Sequence, residues 1–152
     1  MAVSELSKKL SSLVQLDIDA AHAYGQAIDK IDIPDVKNQL TKYKQDHEKH
    51  VEALSKVIRD MGDVPPEKGR DFKGFMIEGF TALLSLTGDK NAITAMENNE
   101  KLTNKKYSEA VKWQDLTAEA RLVVEGNYKD EQEHISYLQK IISEKVWEKS
   151  HA

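Results

Sequence analysis

The chain has 152 residues and a formal net charge of −4, with charged residues making up 32% of it; that suits one domain (1–152) with a sizeable core and an ordinary solvated surface. No basic run points to nucleic acid, and no apolar stretch reaches the roughly 18 residues that span a membrane. There is no cysteine, which excludes disulfides, thiolate zinc sites and iron–sulfur or rubredoxin-type centres.

The N-terminus, Met1 to Lys9, lacks the apolar core of a signal peptide, so a cytoplasmic protein is expected. A first helix is expected over about 4–30. Its apolar seam reads Leu6, Leu10, Leu13, Asp17, Ala20, Tyr24, Ala27, Ile31 in alternating steps of four and three, the inward stripe of a bundle helix. Asp17 is its one charged member. Asp32 to Asp35 makes a short turn, with Pro34 suited to the first turn of the next helix. The second helix, about 35–61, has the seam Leu40, Tyr43, His47, His50, Leu54, Val57, Met61, in which two histidines replace apolar residues. Gly62 to Pro66 ends it.

Residues 62–89 form a long connection. Phe72, Phe75, Met76, Phe80, Leu83 and Leu84 recur at helical spacing there, giving a short amphipathic helix expected to pack across the bundle; an oligomer contact or a lid is the sharper alternative. Thr87-Gly88-Asp89 looks like a stop followed by a new N-cap. The third helix, about 90–113, carries the seam Ile93, Met96, Glu100, Thr103, Tyr107, Ala110. After Asp115-Leu116-Thr117, with Thr117 as N-cap, the fourth helix runs over about 118–146. Its seam is Ala120, Val124, Asn127, Glu131, His134, Leu138, Ile141. The tail from Trp147 onward is uninformative.

The two halves of the chain repeat. Asp17, Tyr24 and Ala27 map onto Glu100, Tyr107 and Ala110 at an offset of 83, and Asp46, His47 and His50 onto Asp130, Glu131 and His134 at an offset of 84. Two matching antiparallel hairpins predict an all-α four-helix bundle with an approximate two-fold axis, joined by a long crossover. Each helix places its polar intrusions mid-seam, so Asp17, His47, His50, Glu100, Glu131 and His134 would meet at one level. Burying such groups costs several kcal/mol without compensation. Two divalent metal ions would supply it, and oxygen and nitrogen donors of this mix suit iron, with manganese or zinc as alternatives. The bland alternative is a metal-free polar network. Asp46 and Asp130 are placed to reach the outer nitrogen of a ligand histidine on the neighbouring helix, and Tyr24 and Tyr107 to bond the opposite carboxylate. His22 points off the seam, and Glu97 is expected to face solvent.

The phrases Leu16-Asp17-Ile18-Asp19-Ala20-Ala21-His22-Ala23-Tyr24, Asp46-His47-Glu48-Lys49-His50 and Asp130-Glu131-Gln132-Glu133-His134 resemble the ligand helices of the ferritin-like superfamily. Within it the chain is similar to rubrerythrin and bacterioferritin relatives, or to an uncharacterised bacterial group of ferritin-like bundles. The family pattern is Glu, Glu-x-x-His, Glu, Glu-x-x-His. Here Asp17 is a methylene short and His47 stands for a glutamate, so one chelating or bridging carboxylate is lost. The resemblance implies a non-haem di-iron centre without haem, with ferroxidase or peroxide-reducing chemistry in iron handling or oxidative-stress defence. Its partners would be dioxygen or hydrogen peroxide, an external electron donor for a peroxidase and, in a storage cage, further copies of the chain. The alternatives are a non-enzymatic protein holding zinc or one iron, and a metal-free stress or interaction bundle.

Overall fold

A computed structural model describes residues 4–67, 80, 83 and 85–149. All regular structure among them is helical: α1 (Glu5–Lys30), α2 (Pro34–Asp60), α3 (Asp89–Ala110), α4 (Ala118–Ser143) and a single turn, α5 (Val146–Lys149). The expected seams are the buried stripes. Every seam residue of α1, α3 and α4 is buried, and so is that of α2 except Met61 at its end. α1 packs against α2 and α3, and α4 against α3 and α2. Tyr24 meets Glu100 while Tyr107 meets Asp17, so α1 and α3 run antiparallel. Asp46 meets His134 while Asp130 meets His50, so α2 and α4 do too. This is the ferritin-like four-helix bundle expected from the patterning.

Local chemistry sets the helix ends. Ser4 accepts from the Ser7 amide and Thr117 from the Ala120 amide, each satisfying an otherwise orphaned N–H of the first turn. Pro34 occupies the first turn of α2, where its missing N–H costs nothing. At the other end of α2, Gly62 sits at φ 88°. Its amide bonds Arg59 O and the next amide, Asp63, bonds Ile58 O, the paired closure that favours glycine. Three ends differ from expectation, one of them the C-terminus of α3, which stops at Ala110 rather than 113. Gly88, not Asp89, is the N-cap of α3, and the Asp89 carboxylate instead accepts the Asp32 amide at 2.7 Å, tying α3 to the α1–α2 turn. α4 stops at Ser143 rather than 146, and Lys145 at φ 48° turns the chain into α5. The tail is thereby informative: Trp147 packs on the core, with the Lys90 ammonium 5.9 Å from its ring centroid.

Two apolar clusters fill the bundle. One gathers Leu6, Leu10, Leu13, Leu54, Ile58, Tyr107, Ala120 and Val124; the other gathers Tyr24, Ile31, Leu40, Tyr43, Ile93, Met96, Leu138 and Ile141. Along α1 the first ends at Ile18 and the second begins at Ala23, so the polar intrusions lie in a layer between two apolar slabs. α1 is buried off its seam as well, at Val14, Ile18, Asp19 and Ala21. Of the amphipathic stretch expected in the crossover, Leu83 is fully buried and Phe80 packs on both clusters. Phe72, Phe75, Met76 and Leu84 lie outside the described residues, as does His151.

Candidate metal centre

All six polar seam residues are buried, each 2% exposed or less, and they converge. Asp17, His47, His50 and Glu131 form one group whose donor atoms lie within 4.8 Å of one another. His47, Glu100, Glu131 and His134 form a second, overlapping group, so His47 and Glu131 belong to both. These two are the repeat-related pair, one from each hairpin, and they occupy the middle of the site.

The Asp17 side is closed by hydrogen bonds. Asp17 Oδ1 accepts from His47 Nδ1 at 2.7 Å and from His50 Nδ1 at 3.0 Å, and Oδ2 accepts from the Tyr107 hydroxyl. Asn127 Nδ2 in turn donates to that hydroxyl. The second nitrogen of His50 donates to Asp130 at 2.8 Å. On the other side Glu100 Oε1 accepts from Tyr24 at 2.9 Å and from His47 Nε2 at 3.0 Å, and Oε2 accepts from Thr103 at 3.1 Å. His134 Nε2 donates to Asp46 at 2.9 Å. The outer carboxylates and the two tyrosines therefore do what their spacing predicts. His22 is exposed and bonds Gln26, and Glu97 pairs with Lys101 at 3.7 Å rather than entering the site.

Three buried atoms of this cluster stand apart. Neither oxygen of Glu131 nor Nδ1 of His134 has a hydrogen-bond partner, although His134 Nδ1 and Glu131 Oε2 lie 3.3 Å apart. A buried polar atom left so costs about 1–3 kcal/mol, more when charged. Unpaired donors aimed at a shared point are what a cation requires, and the six residues fit a divalent ion on that ground.

Without metal the cluster holds protons instead. Burial works against charging His47, yet Glu131, Asp17 and Glu100 hold it up at about 10. His50 is held at about 9 against burial by Asp17 and Asp130, and His134 at about 12, again against burial, by Asp46, Glu100 and Glu131. Burial would raise Asp17, but His50 and His47 keep it ionised below its usual range. His134 and His47 do the same to Glu100 against its burial. Glu131 is pushed up, first by burial and then by Glu100. Burial also raises both tyrosines well above their ordinary range, so they stay as donors.

One contributor gave no signal in the seam pattern, and a seam residue takes a part its position did not announce. Asn104 lies beside the seam, yet its amide donates to the carbonyls of both Glu100 and Glu131 at 2.9 Å, binding α3 to α4 at the level of the site. Tyr43 is a seam residue whose ring lies 4.2 Å, centroid to centroid, from that of His134.

A family model described as "Domain of unknown function (DUF2383)" matches residues 5–113. The chain belongs to that family. No protein of curated function matches its sequence. Among solved structures it is similar to a dodecameric thioferritin in the bacterial domain, the bacterioferritin-related protein from Bacteroides fragilis. The match has a TM-score of 0.81 at 14% identity, over 99% of this chain and 92% of that one. That likeness, at low identity, establishes the ferritin-like fold. Among the described residues no helix is long and apolar enough to cross a membrane.

Proposed function

We propose that this member of the family is a non-haem di-metal protein that oxidises Fe(II) with dioxygen or hydrogen peroxide, in iron handling or oxidative-stress defence in the cytoplasm. Its ligands are Asp17, His47, His50, Glu100, Glu131 and His134, within one domain spanning 1–152. One observation carries the reading: two buried donor groups overlap on Glu131, whose two oxygens have no hydrogen-bond partner. The donor set of carboxylates and imidazoles suits iron in its divalent state, with manganese and zinc as competitors.

Iron bound there supplies one-electron chemistry. Held by those residues, two Fe(II) would supply two electrons, enough with two protons to reduce one hydrogen peroxide to two waters. The chain's own residues hold the geometry. Asp46 and Asp130 fix the outer nitrogens of His134 and His50. Tyr24 and Tyr107 keep Glu100 and Asp17 in place by donating to them. The apolar slabs on either side exclude water. With no cysteine in the sequence, repeated peroxide turnover takes electrons from an external donor. The dodecameric thioferritin supports a homo-oligomer for this chain.

A second reading has one observation in its favour. His47 lies between Asp17 and Glu100 and bonds both, at a position where the family pattern has a glutamate. A nitrogen donor there suits a single zinc or iron without oxidation chemistry.

Elemental analysis of protein purified without chelators, then anaerobic Fe(II) titration and exposure to oxidant, separates these. About two metals per chain and Fe(II) oxidation faster than in buffer support the first reading, and Glu131→Ala lowers the metal content. Bound metal with no acceleration supports the second. No uptake, or a Glu131→Ala stoichiometry equal to wild type, removes both.

A further inference from the structure

The four facing atoms of the second group have distances that invite comparison with a coordination shell. His47 Nε2 lies 3.0 Å from Glu100 Oε1 and 3.5 Å from Glu131 Oε2, and His134 Nδ1 lies 3.5 Å from Glu100 Oε1 and 3.3 Å from Glu131 Oε2. A tetrahedral ion with bonds of about 2.0–2.2 Å to nitrogen and oxygen needs edges of roughly 3.3–3.6 Å. Four of the six edges of such a shell are therefore in place to within about 0.3 Å, the short one being His47 Nε2 to Glu100 Oε1. Both histidines already present the right nitrogen: His134 is held from behind by Asp46, and His47 by Asp17. A carboxylate behind a ligand imidazole is the usual way its tautomer and direction are fixed.

The Asp17 side lacks this fit. Asp17 Oδ1 already takes two imidazole N–H groups, at 2.7 and 3.0 Å, and its other oxygen takes Tyr107. His50 Nδ1 is 3.8 Å from Glu131 Oε2. For Asp17 Oδ1 and His50 Nδ1 to hold an ion, the bond between them must give way, while the His47 bond stays as an anchor. His47 faces Asp17 with Nδ1, the nitrogen that bonds it while Nε2 faces Glu100 and Glu131.

Resting on the reading that this cluster binds metal, we propose that it loads unequally. A first ion takes a closed four-ligand pocket of His47 Nε2, Glu100, Glu131 and His134 Nδ1, while Asp17 acts as the positioning carboxylate behind His47 rather than as a ligand. A second, weaker ion enters at Asp17 and His50 only after that hydrogen bonding opens. A four-ligand site leaves no open position for an oxidant, so oxidation waits until the second ion is bound.

Co(II) alone is the probe, since four-coordinate Co(II) gives intense visible bands and six-coordinate Co(II) weak ones. In wild type the first equivalent is expected to give the intense bands before the second binds. Asp17→Asn is expected to keep them, with affinity lowered about 10- to 100-fold, and to lose the second equivalent. His134→Ala is expected to lose them. Circular dichroism checks that each variant remains helical; should Asp17→Asn unfold, His50→Gln takes its place and must keep the bands while losing the second equivalent. The proposal is overturned by weak bands at the first equivalent, by two equivalents of indistinguishable affinity, or by a folded Asp17→Asn as empty as His134→Ala. No Co(II) uptake by wild type removes the metal-binding reading itself, an outcome distinct from these.

Discussion

The Asp17–His50 half and the Glu100–His134 half of the buried layer come from equivalent positions of two hairpins, yet their hydrogen bonding differs. On the Asp17 side the bonds to Asp17 and His50 are complete: one carboxylate takes three donors, and both nitrogens of its histidine are engaged. Across the layer Glu100 is equally well bonded, but Glu131 and one nitrogen of His134 are left open. The lesson is that a buried ionisable layer can be structural on one side and poised for a ligand on the other. What decides is whether each lone pair already faces a proton. A fully paired set stabilises the fold, whereas an open one lowers stability until something binds.

The largest expected effect tests that division in metal-free protein. Asp17→Ala strands two buried imidazolium N–H groups, a loss on the order of 3–5 kcal/mol. At about 2–4 °C per kcal/mol for a chain of this size, thermal melting is expected to fall by at least several degrees. Glu131→Gln removes no hydrogen bond but takes away one of the charges that hold His47 and His134 up, and its metal-free melting temperature is expected to fall less than that of Asp17→Ala. Equal losses in the two variants would erase the distinction between the halves.

Next in size is the pH dependence of metal uptake. His47 and His134 sit at about 10 and about 12 without metal, so both are protonated near neutrality. An ion taking one nitrogen from each displaces two protons. Affinity for the first ion is therefore expected to climb about 100-fold per pH unit between roughly 6 and 8, read by titration in buffers of matched ionic strength. A slope near zero would mean that the histidines enter the reaction neutral. The same protons govern the stability of the metal-free protein. His47 and His50 are raised from 6.5 in the unfolded chain to about 10 and about 9. Their contribution is complete below about pH 6.5 and lost as pH rises through 9 to 10. Melting scans at stepped alkaline pH check this.

The outer carboxylates sharpen the comparison further. Asp46→Ala removes the anchor of His134 and is expected to weaken the first ion about 10- to 100-fold. Asp130→Ala, behind His50, is expected to leave the first ion untouched and weaken only the second. Equal effects on the first ion would place both histidines in one symmetric site. The smallest effect lies outside the layer: Thr117→Ala removes the cap of α4 and is expected to cost about 1 kcal/mol, seen as a small drop in melting temperature with unchanged metal uptake.

The seams were legible because a buried helix face repeats every three to four residues. An ionisable group on such a face, as at Asp17, Glu100 or Glu131, breaks the pattern visibly. Asp46, Asp130, Tyr24 and Tyr107 were legible through the repeat, since each sits at a fixed helical offset from a seam ligand and so faces a neighbouring helix. Asn104 left no trace, because an asparagine beside the seam reads as surface and its bonds are to backbone carbonyls of two helices. The cap of α3 and the turn into α5 depend on where Asp32 and the core happen to lie. Local pattern carries no record of either.

By itself the sequence determined the helices, their inward faces, the pairing of two similar hairpins and the level at which six ionisable side chains meet. Those follow from periodicity and chain connectivity, which are local properties. Only the tertiary structure decided which nitrogen of His47 faces which carboxylate, that Asp17 is fully bonded, and that Glu131 and His134 are left with open donors. Those are contacts across helices distant in the chain, set by side-chain packing at the scale of a single hydrogen bond.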